Sequence, residues 1–227
     1  MLALFITATG TDIGKTHLST ALLRHWRGQG KTVRALKPVM SGFDPAAAEA
    51  SDAGLLLAAM GQPITADALD GIAPWRFAAP LSPDMAAARE GRSIDFPALL
   101  EFCRAEIARP ADVLLIEGVG GVMAPLDDRK TVLDWMAALR LPVVVITGSY
   151  LGTISHTLTA LATLRRERVD TAAVIVNESP TSPVPLAETI AAIGQHWQGS
   201  PIAAFARNAD AAEVAQLAQT LEQTMAM

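Results

Sequence analysis

Short apolar runs alternate along this chain with stretches of helical periodicity. The runs are "LALFIT" (2–7), "TVRALKP" (32–38), "DVLLIEG" (112–118), "PVVVITG" (142–148), "AAVIVNE" (172–178) and the weaker "PIAAF" (201–205). Most are continuous rather than alternating, as in strands covered on both faces. Helical patterns fall near 15–28, 50–60, 95–109, 131–139, 153–168, 184–197 and 210–225. Strand and helix in turn predict βαβ units: a single α/β domain over 1–227, mostly parallel, with helices on both faces of the sheet.

Nothing reads as a linker. "SPTSPVP" (179–185) sits between strand and helix as a loop, and 62–93, with prolines at 63, 74, 80 and 83, reads as an excursion from the sheet. The last helix is rich in Ala and Gln, and fraying is expected there.

Composition narrows the function. Hydrophobic residues make up 51 %, enough for a large core, and charged residues only 18 %, which argues against disorder. A net charge of −5 offers no basic excess for a general nucleic-acid binder. Cys103 is the one cysteine, so an intrachain disulfide and a cysteine-rich metal site are excluded; its helical surroundings, "ALLEFCRAEIA", predict a buried, inert thiol. "MLALFITATG" lacks a basic start and reads as a core strand rather than a signal peptide. No apolar run reaches the ~20 residues of a membrane helix. A reducing cytoplasm without membrane attachment is expected.

The chemistry begins at "ITATGTDIGKTHLST" (6–20). Strand, glycine-bearing loop and Gly14-Lys15-Thr16 opening a helix form the context of a phosphate loop, in which backbone N–H groups and the helix N-terminus hold phosphate oxygens. Lys15 would reach the outer phosphates and Thr16 would offer its hydroxyl to Mg²⁺. The standard first glycine is absent: Thr9 stands there and Gly10 comes one residue late. Glu117, followed by "GVGG", ends a strand where a second metal carboxylate belongs. Spacing alone leaves Asp52 open between a metal ligand and, with Ser51, a helix cap. Lys37 is open between a solvated lysine and a second cation beside a triphosphate.

Together these segments resemble the dethiobiotin synthetase family. "TGTDIGKT" looks like its "TGTDTxVGKT" loop, shortened in its first half. "ALKPVMSG" resembles "KPVxSG", "SDAGLL" its "SDA" segment, and "WRFAAPLSPDMAAAREG" its "Y-x-F-x-x-P-x-SP-H-x-A…EG". "LIEGVGGVMAPL" resembles "xEGAGGxxxPL", "YLGTISHTLTA" resembles "LGTINHxxLT", and "VIVNE" its Asn strand. The matches occur in the family's order over roughly residues 3–180. The family's own loop lacks the first glycine too.

The resemblance implies ATP as co-substrate with Mg²⁺, and 7,8-diaminopelargonate (7,8-diaminononanoate) and CO₂ or bicarbonate as reaction partners. One amine takes up CO₂ as a carbamate, the γ-phosphate of ATP activates it, and the second amine closes a cyclic urea. Lys37, Lys15 and Thr11 would be catalytic, with Thr16, Asp52 and Glu117 on the metal. Asp12, Ile13, Gly14, His17, Gly118, Val119 and Gly120 would line the nucleotide, and Asn177, Glu178, Ala203, Ala204 and Phe205 its adenine side. Ser41 and Ser82 would border the diamine, and Gly152, Thr153 and Ser155, at a helix start belonging to the partner of a homodimer, its carboxylate. The chain departs from the pattern at Ser155 (usually Asn), at Asp84 (usually His) and in the plainer "IAAFA" (202–206). These bear on affinity rather than reaction class.

Two rivals share the phosphate-loop branch. An amide-forming ligase normally brings a glutamine-handling domain with a nucleophilic cysteine, for which Cys103 lacks the setting. An ATP-switched partitioning or positioning protein uses a signature lysine early in the loop, and "TATGTDI" (7–13) has none.

Overall fold

A computed structural model describes residues 1–224. Six strands build the main sheet: β1 (Leu2–Ala8), β2 (Val33–Leu36), β5 (Val113–Glu117), β6 (Val143–Thr147), β7 (Thr171–Asn177) and β8 (Ile202–Phe205). Their order is β2-β5-β1-β6-β7-β8, and every pairing is parallel. All six predicted strands are present, with ends that differ by up to two residues; the third, fourth and fifth are almost wholly buried, as their unbroken apolar runs require.

Helices cover both faces. Helix α1 (Lys15–Gly28) packs on α2 (Asp52–Met60) and on α9 (Ala211–Thr224). On the other side α5 (Phe96–Ile107) packs on α6 (Val132–Leu139), and α7 (Thr153–Arg166) on α8 (Leu186–His196). β1 shows how one strand serves both layers: Phe5 meets Trp135 of α6 edge to face at 4.9 Å, so Leu4 and Ile6 point to the opposite face. There α1 inserts Leu18, Leu22, Leu23 and Trp26, all fully buried at helical spacing. Each such side chain contributes roughly 1.5–3 kcal/mol of transfer free energy.

Local signals set the helix ends. Ser51 caps α2 by accepting from the Gly54 N–H, and Gly61 closes it in a left-handed conformation. Thr131 and Asp134 form a capping box at α6. The C-terminal helix does not fray within 211–224: Val214, Leu217, Ala218 and Leu221 are buried, and Glu222 accepts from Trp26 Nε1 at 2.6 Å. Position 225 of its expected span lies outside the described residues.

The excursion at 62–93 has structure of its own. It holds α3 (Ala66–Ile72), β4 (Trp75–Phe77) and α4 (Pro83–Arg89), and β4 pairs in parallel with β3 (Val39–Ser41) as a separate two-stranded sheet. Among the described residues no helix is long and apolar enough to cross a membrane. Cys103 is buried, and that burial pushes its thiol up to about 12, as expected of an inert core cysteine.

Candidate active site

The strand order places the site. The chain leaves β1 toward β2 and leaves β6 toward β7, so the loops after these adjacent strands diverge and open a crevice at their C-terminal ends. The loop after β1 is residues 9–14. Thr9 extends β1: its N–H donates to the Ile146 carbonyl at 2.9 Å and its hydroxyl lies 3.2 Å from that of Thr147. A residue that continues a strand needs no glycine. The close approach is made instead by Gly121, where a Cβ would lie 3.2 Å from the Thr9 carbonyl group.

Gly14 is constrained twice over. Its φ is +99°, and a Cβ there would lie 2.2 Å from Asn177 Nδ2. That same amide donates to the Ile13 carbonyl at 2.7 Å, so β7 clamps the loop from below. Helix α1 begins directly after, with no side-chain cap and no acid in its first turn, leaving its positive end uncompensated.

Lys15 lies along the loop. It is 7 % exposed and donates to the carbonyls of Gly120 at 2.9 Å and Gly10 at 3.2 Å. Burial, reinforced by the nearby Lys37 charge, lowers its ammonium to about 8. Lys37 is no solvated lysine. It is 3 % exposed and reaches Glu117 Oε1 at 2.7 Å, Asp52 Oδ2 at 2.8 Å and the Gly118 carbonyl at 3.0 Å. Burial alone would lower its pKa, but the Glu117 and Asp52 carboxylates outweigh burial and hold it above the ordinary lysine value. Burial likewise works against the Asp52 carboxylate, and Lys37 with Thr16 outweighs it, keeping that group below the usual aspartate value.

Thr16 Oγ1 lies 2.7 Å from both Asp52 Oδ1 and Glu117 Oε1, so helix start, α2 start and β5 end meet at one hydroxyl. Asp52 is therefore both a first-turn residue of a helix capped by Ser51 and a member of this cluster. Ser19, which the sequence reading missed, donates to Glu117 Oε2 at 2.9 Å and is fully buried. It sits three residues after Thr16 on the same helix face, and that spacing is the signal that would have found it. Among the described residues no group of three or more His, Cys, Asp or Glu gathers; the oxygen donors here are two carboxylates and hydroxyls.

Two joined cavities open above this cluster. One, of about 490 Å³, is lined by Thr11, Asp12, Gly14, Lys15, Thr16, His17, Lys37 and Asp52, and also by Met40 and Ser51, which the sequence did not suggest. The other, of about 970 Å³, is more apolar and runs past Ser82, Met123 and His156. Thr11, Asp12, Ser41, Gly42, Val119 and Gly120 line both. Ser41 and Ser82 thus share a wall, brought together by the small β3–β4 sheet and the Gly42 N–H bond to the Ala79 carbonyl at 3.0 Å. Gly118 and Ile13 stand behind the cavity wall and act through their carbonyls.

The remaining candidates fall elsewhere. Asn177 pairs with Phe205 across β7 and β8, Phe205 packs 5.3 Å from the His17 ring, and Glu178 accepts from the Arg207 N–H at 3.0 Å. Ala203 and Ala204 precede Phe205 on β8. Gly152, Thr153 and Ser155 line a third cavity, of about 710 Å³, rather than the two joined ones. Thr153 is buried, its hydroxyl donates to the Gly148 carbonyl at 2.7 Å, and its N–H is taken by the Tyr150 carbonyl.

Comparison with known proteins agrees with this geometry. In three dimensions the chain is similar to a nucleotide-binding protein of Archaeoglobus fulgidus in complex with ADP (TM-score 0.52, 14 % identity, 98 % of this chain and 88 % of that one). It is also similar to a protein described as a plasmid partition protein of Borrelia burgdorferi bound to AMPPNP (TM-score 0.53, 10 % identity, 99 % and 98 %). At such identities these likenesses show the fold alone, which the enzyme and the partition-type rival share. Sequence decides between them. Residues 3–216 match the family described as AAA domain. The ATP-dependent dethiobiotin synthetase BioD of Acidiphilium cryptum is 52 % identical over 202 residues, 88 % of this chain and 91 % of that one. That of Phenylobacterium zucineum is 48 % identical over 219 residues, 96 % and 94 %. With relatives this similar over nearly their whole length, and with a phosphate loop, a buried lysine and paired acids converging on one crevice, the chain belongs to the family of ATP-dependent dethiobiotin synthetases.

Proposed function

We propose that the two joined cavities form one active site, in which 7,8-diaminopelargonate, CO₂ and ATP become dethiobiotin, ADP and phosphate. The observation that carries this reading is the convergence of Lys15, Lys37, Thr16, Asp52 and Glu117 at the floor of a crevice that opens into a longer, more apolar cavity. A triphosphate suits the first and a diamine with an alkyl tail the second.

One amine adds to CO₂ and loses a proton, giving a carbamate. A carbamate oxygen then attacks the γ-phosphorus, a P–O bond to ADP breaks, and a carbamic-phosphoric anhydride results. The second amine attacks the anhydride carbon, phosphate leaves, and the ring closes with loss of a proton. The middle step brings two anions together. Lys15, the loop N–H groups and the start of α1 hold the phosphates, and Lys37 offsets the repulsion. At an effective dielectric near 20 one charge pair at 4 Å is worth roughly 4 kcal/mol, so losing Lys37 slows the reaction by several decades. Thr11, shared by both cavities, borders the reacting atoms, and Ser41 and Ser82 flank the amines.

The donor set fits Mg²⁺, a hard cation that takes one or two carboxylates together with substrate phosphates. Thr16, Asp52 and Glu117 would hold it. When bound it would neutralise charge on the phosphates as the γ-phosphoryl group transfers. On the adenine side, Asn177 has its Nδ2 committed to Ile13, which leaves Oδ1 for a base N–H; Glu178 and Ala203–Phe205 extend that wall.

Leu151 is 87 % exposed, with Ile154 and Val184 beside it around the third cavity. This apolar face supports a homodimer in which Gly152, Thr153 and Ser155 serve the neighbouring subunit's substrate. The reading places the enzyme in a reducing cytoplasm. The test is phosphate release with ATP, Mg²⁺ and bicarbonate, with and without the diamine. Strict diamine dependence with a cyclic urea product supports the proposal; release indifferent to the diamine overturns it.

A further inference from the structure

We infer that Lys37 is the internal counter-cation of the metal site: its ammonium and a divalent cation compete for the same carboxylate oxygens of Asp52 and Glu117. Metal entry then releases Lys37 toward the crevice. The inference rests on the metal assignment just made and goes beyond it.

All four carboxylate oxygens already have a donor. Thr16 gives its one proton to Asp52 Oδ1 while standing 2.7 Å from Glu117 Oε1; Lys37 serves both Asp52 Oδ2 and Glu117 Oε1, and Ser19 serves Glu117 Oε2. A cation ligated here must displace a donor. Ser19 and Thr16 are neutral, and a hydroxyl turned the other way presents a lone pair to the metal instead of a proton. Lys37 is the only one of the three that a divalent cation repels. The charges agree: two carboxylates against one ammonium leave an excess negative charge, and two carboxylates against a divalent cation leave none. Lys37 lines the same crevice as Thr11 and Ser41, so leaving the acids turns it toward the place where negative charge builds in the reaction. Lys15 is differently placed: its ammonium rests on the carbonyls of Gly10 and Gly120 and on no carboxylate.

The test uses Mn²⁺ as probe on nucleotide-free full-length protein, with affinity read by titration. Lys37→Gln and Lys37→Met should bind Mn²⁺ roughly tenfold or more tightly than the unaltered protein, because they leave two carboxylates uncompensated. Lys15→Gln should change far less. Equal tightening by the Lys15 and Lys37 variants, or none by the latter, overturns the inference. A second measurement needs no variant: Mg²⁺ alone should raise the rate at which an amine-acylating reagent labels Lys37, read by mass spectrometry, while K⁺ at equal ionic strength should not. Labelling unchanged at saturating Mg²⁺ overturns it equally. No Mn²⁺ binding in any form overturns the metal assignment along with it, and diamine-dependent phosphate release remains the separate test of the reaction.

Discussion

The hydroxyl of Ser19 donates to Glu117 Oε2 at 2.9 Å across 98 residues of chain, with both side chains buried. Glu117 has its other oxygen on Lys37 and Thr16, so Ser19 alone serves this one. Ser19→Ala should destabilise the protein by about 1–3 kcal/mol, the cost of an unpaired buried acceptor. Urea denaturation reads this as a lower midpoint at constant slope. Ser19→Thr, which keeps a hydroxyl, should recover part of the loss; equal loss in both would mean that packing rather than the bond matters.

Gly14 and Asn177 are predicted to be coupled. Gly14→Ala sets a methyl group 2.2 Å from Asn177 Nδ2 and forces alanine to a φ of +99°. It should weaken nucleotide binding strongly. Asn177→Ala removes both the obstacle and the clamp on Ile13, and should weaken binding less. The double variant should then lose less than the sum of the two, a non-additivity that direct contact requires. Strict additivity in nucleotide titrations would contradict the contact.

Lys15 gives a pH dependence of known sign. Its folded-state pKa, about 8, lies below the ordinary 10.5, so between those values the unfolded chain holds more protons. Stability from this group therefore rises with pH across that window. Lys15→Met should be more stable than the unaltered protein at about pH 7, and the gap should close toward about pH 10. Phosphate bound beside Lys15 restores its proton, so nucleotide binding near pH 8 should take up a fraction of a proton. Calorimetry in buffers of different ionisation enthalpy measures this directly.

Arg140 and Arg168 end α6 and follow α7 with φ of +55° and +56°. Glycine carries no penalty there, and after its own entropy cost each of Arg140→Gly and Arg168→Gly should stabilise by about 0.5–1 kcal/mol. The two sites line one cavity that shares no residue with the two joined ones, so thermal midpoints should rise with activity unchanged.

The main sheet was legible because its strands are buried on both faces, and continuous apolar runs such as "VVVIT" have few other readings. The phosphate loop was legible through local order: strand, glycine, Lys15, Thr16. What escaped was short or tertiary. β3 and β4 are three residues each, next to prolines 38 and 74, and too brief for periodicity to register. Lys37 could not be told from a solvated lysine, because its partners lie 15 and 80 positions away and come close only through the packing of α2 on β2 and the β2–β5 pairing. Asn177 resembled a base reader, while its tether to Ile13 depends on strand order alone.

That strand order also divides responsibility within the enzyme. Residues 10–121 supply the acids, both lysines and the floor of the crevice, all from one flank of β1; residues 177–205 supply the wall beside His17 from the other. The Asn177 clamp ties the two at the loop itself. On the proposed reading, substitutions on the edge strand β8 would alter the nucleoside wall while leaving the acids and lysines in place.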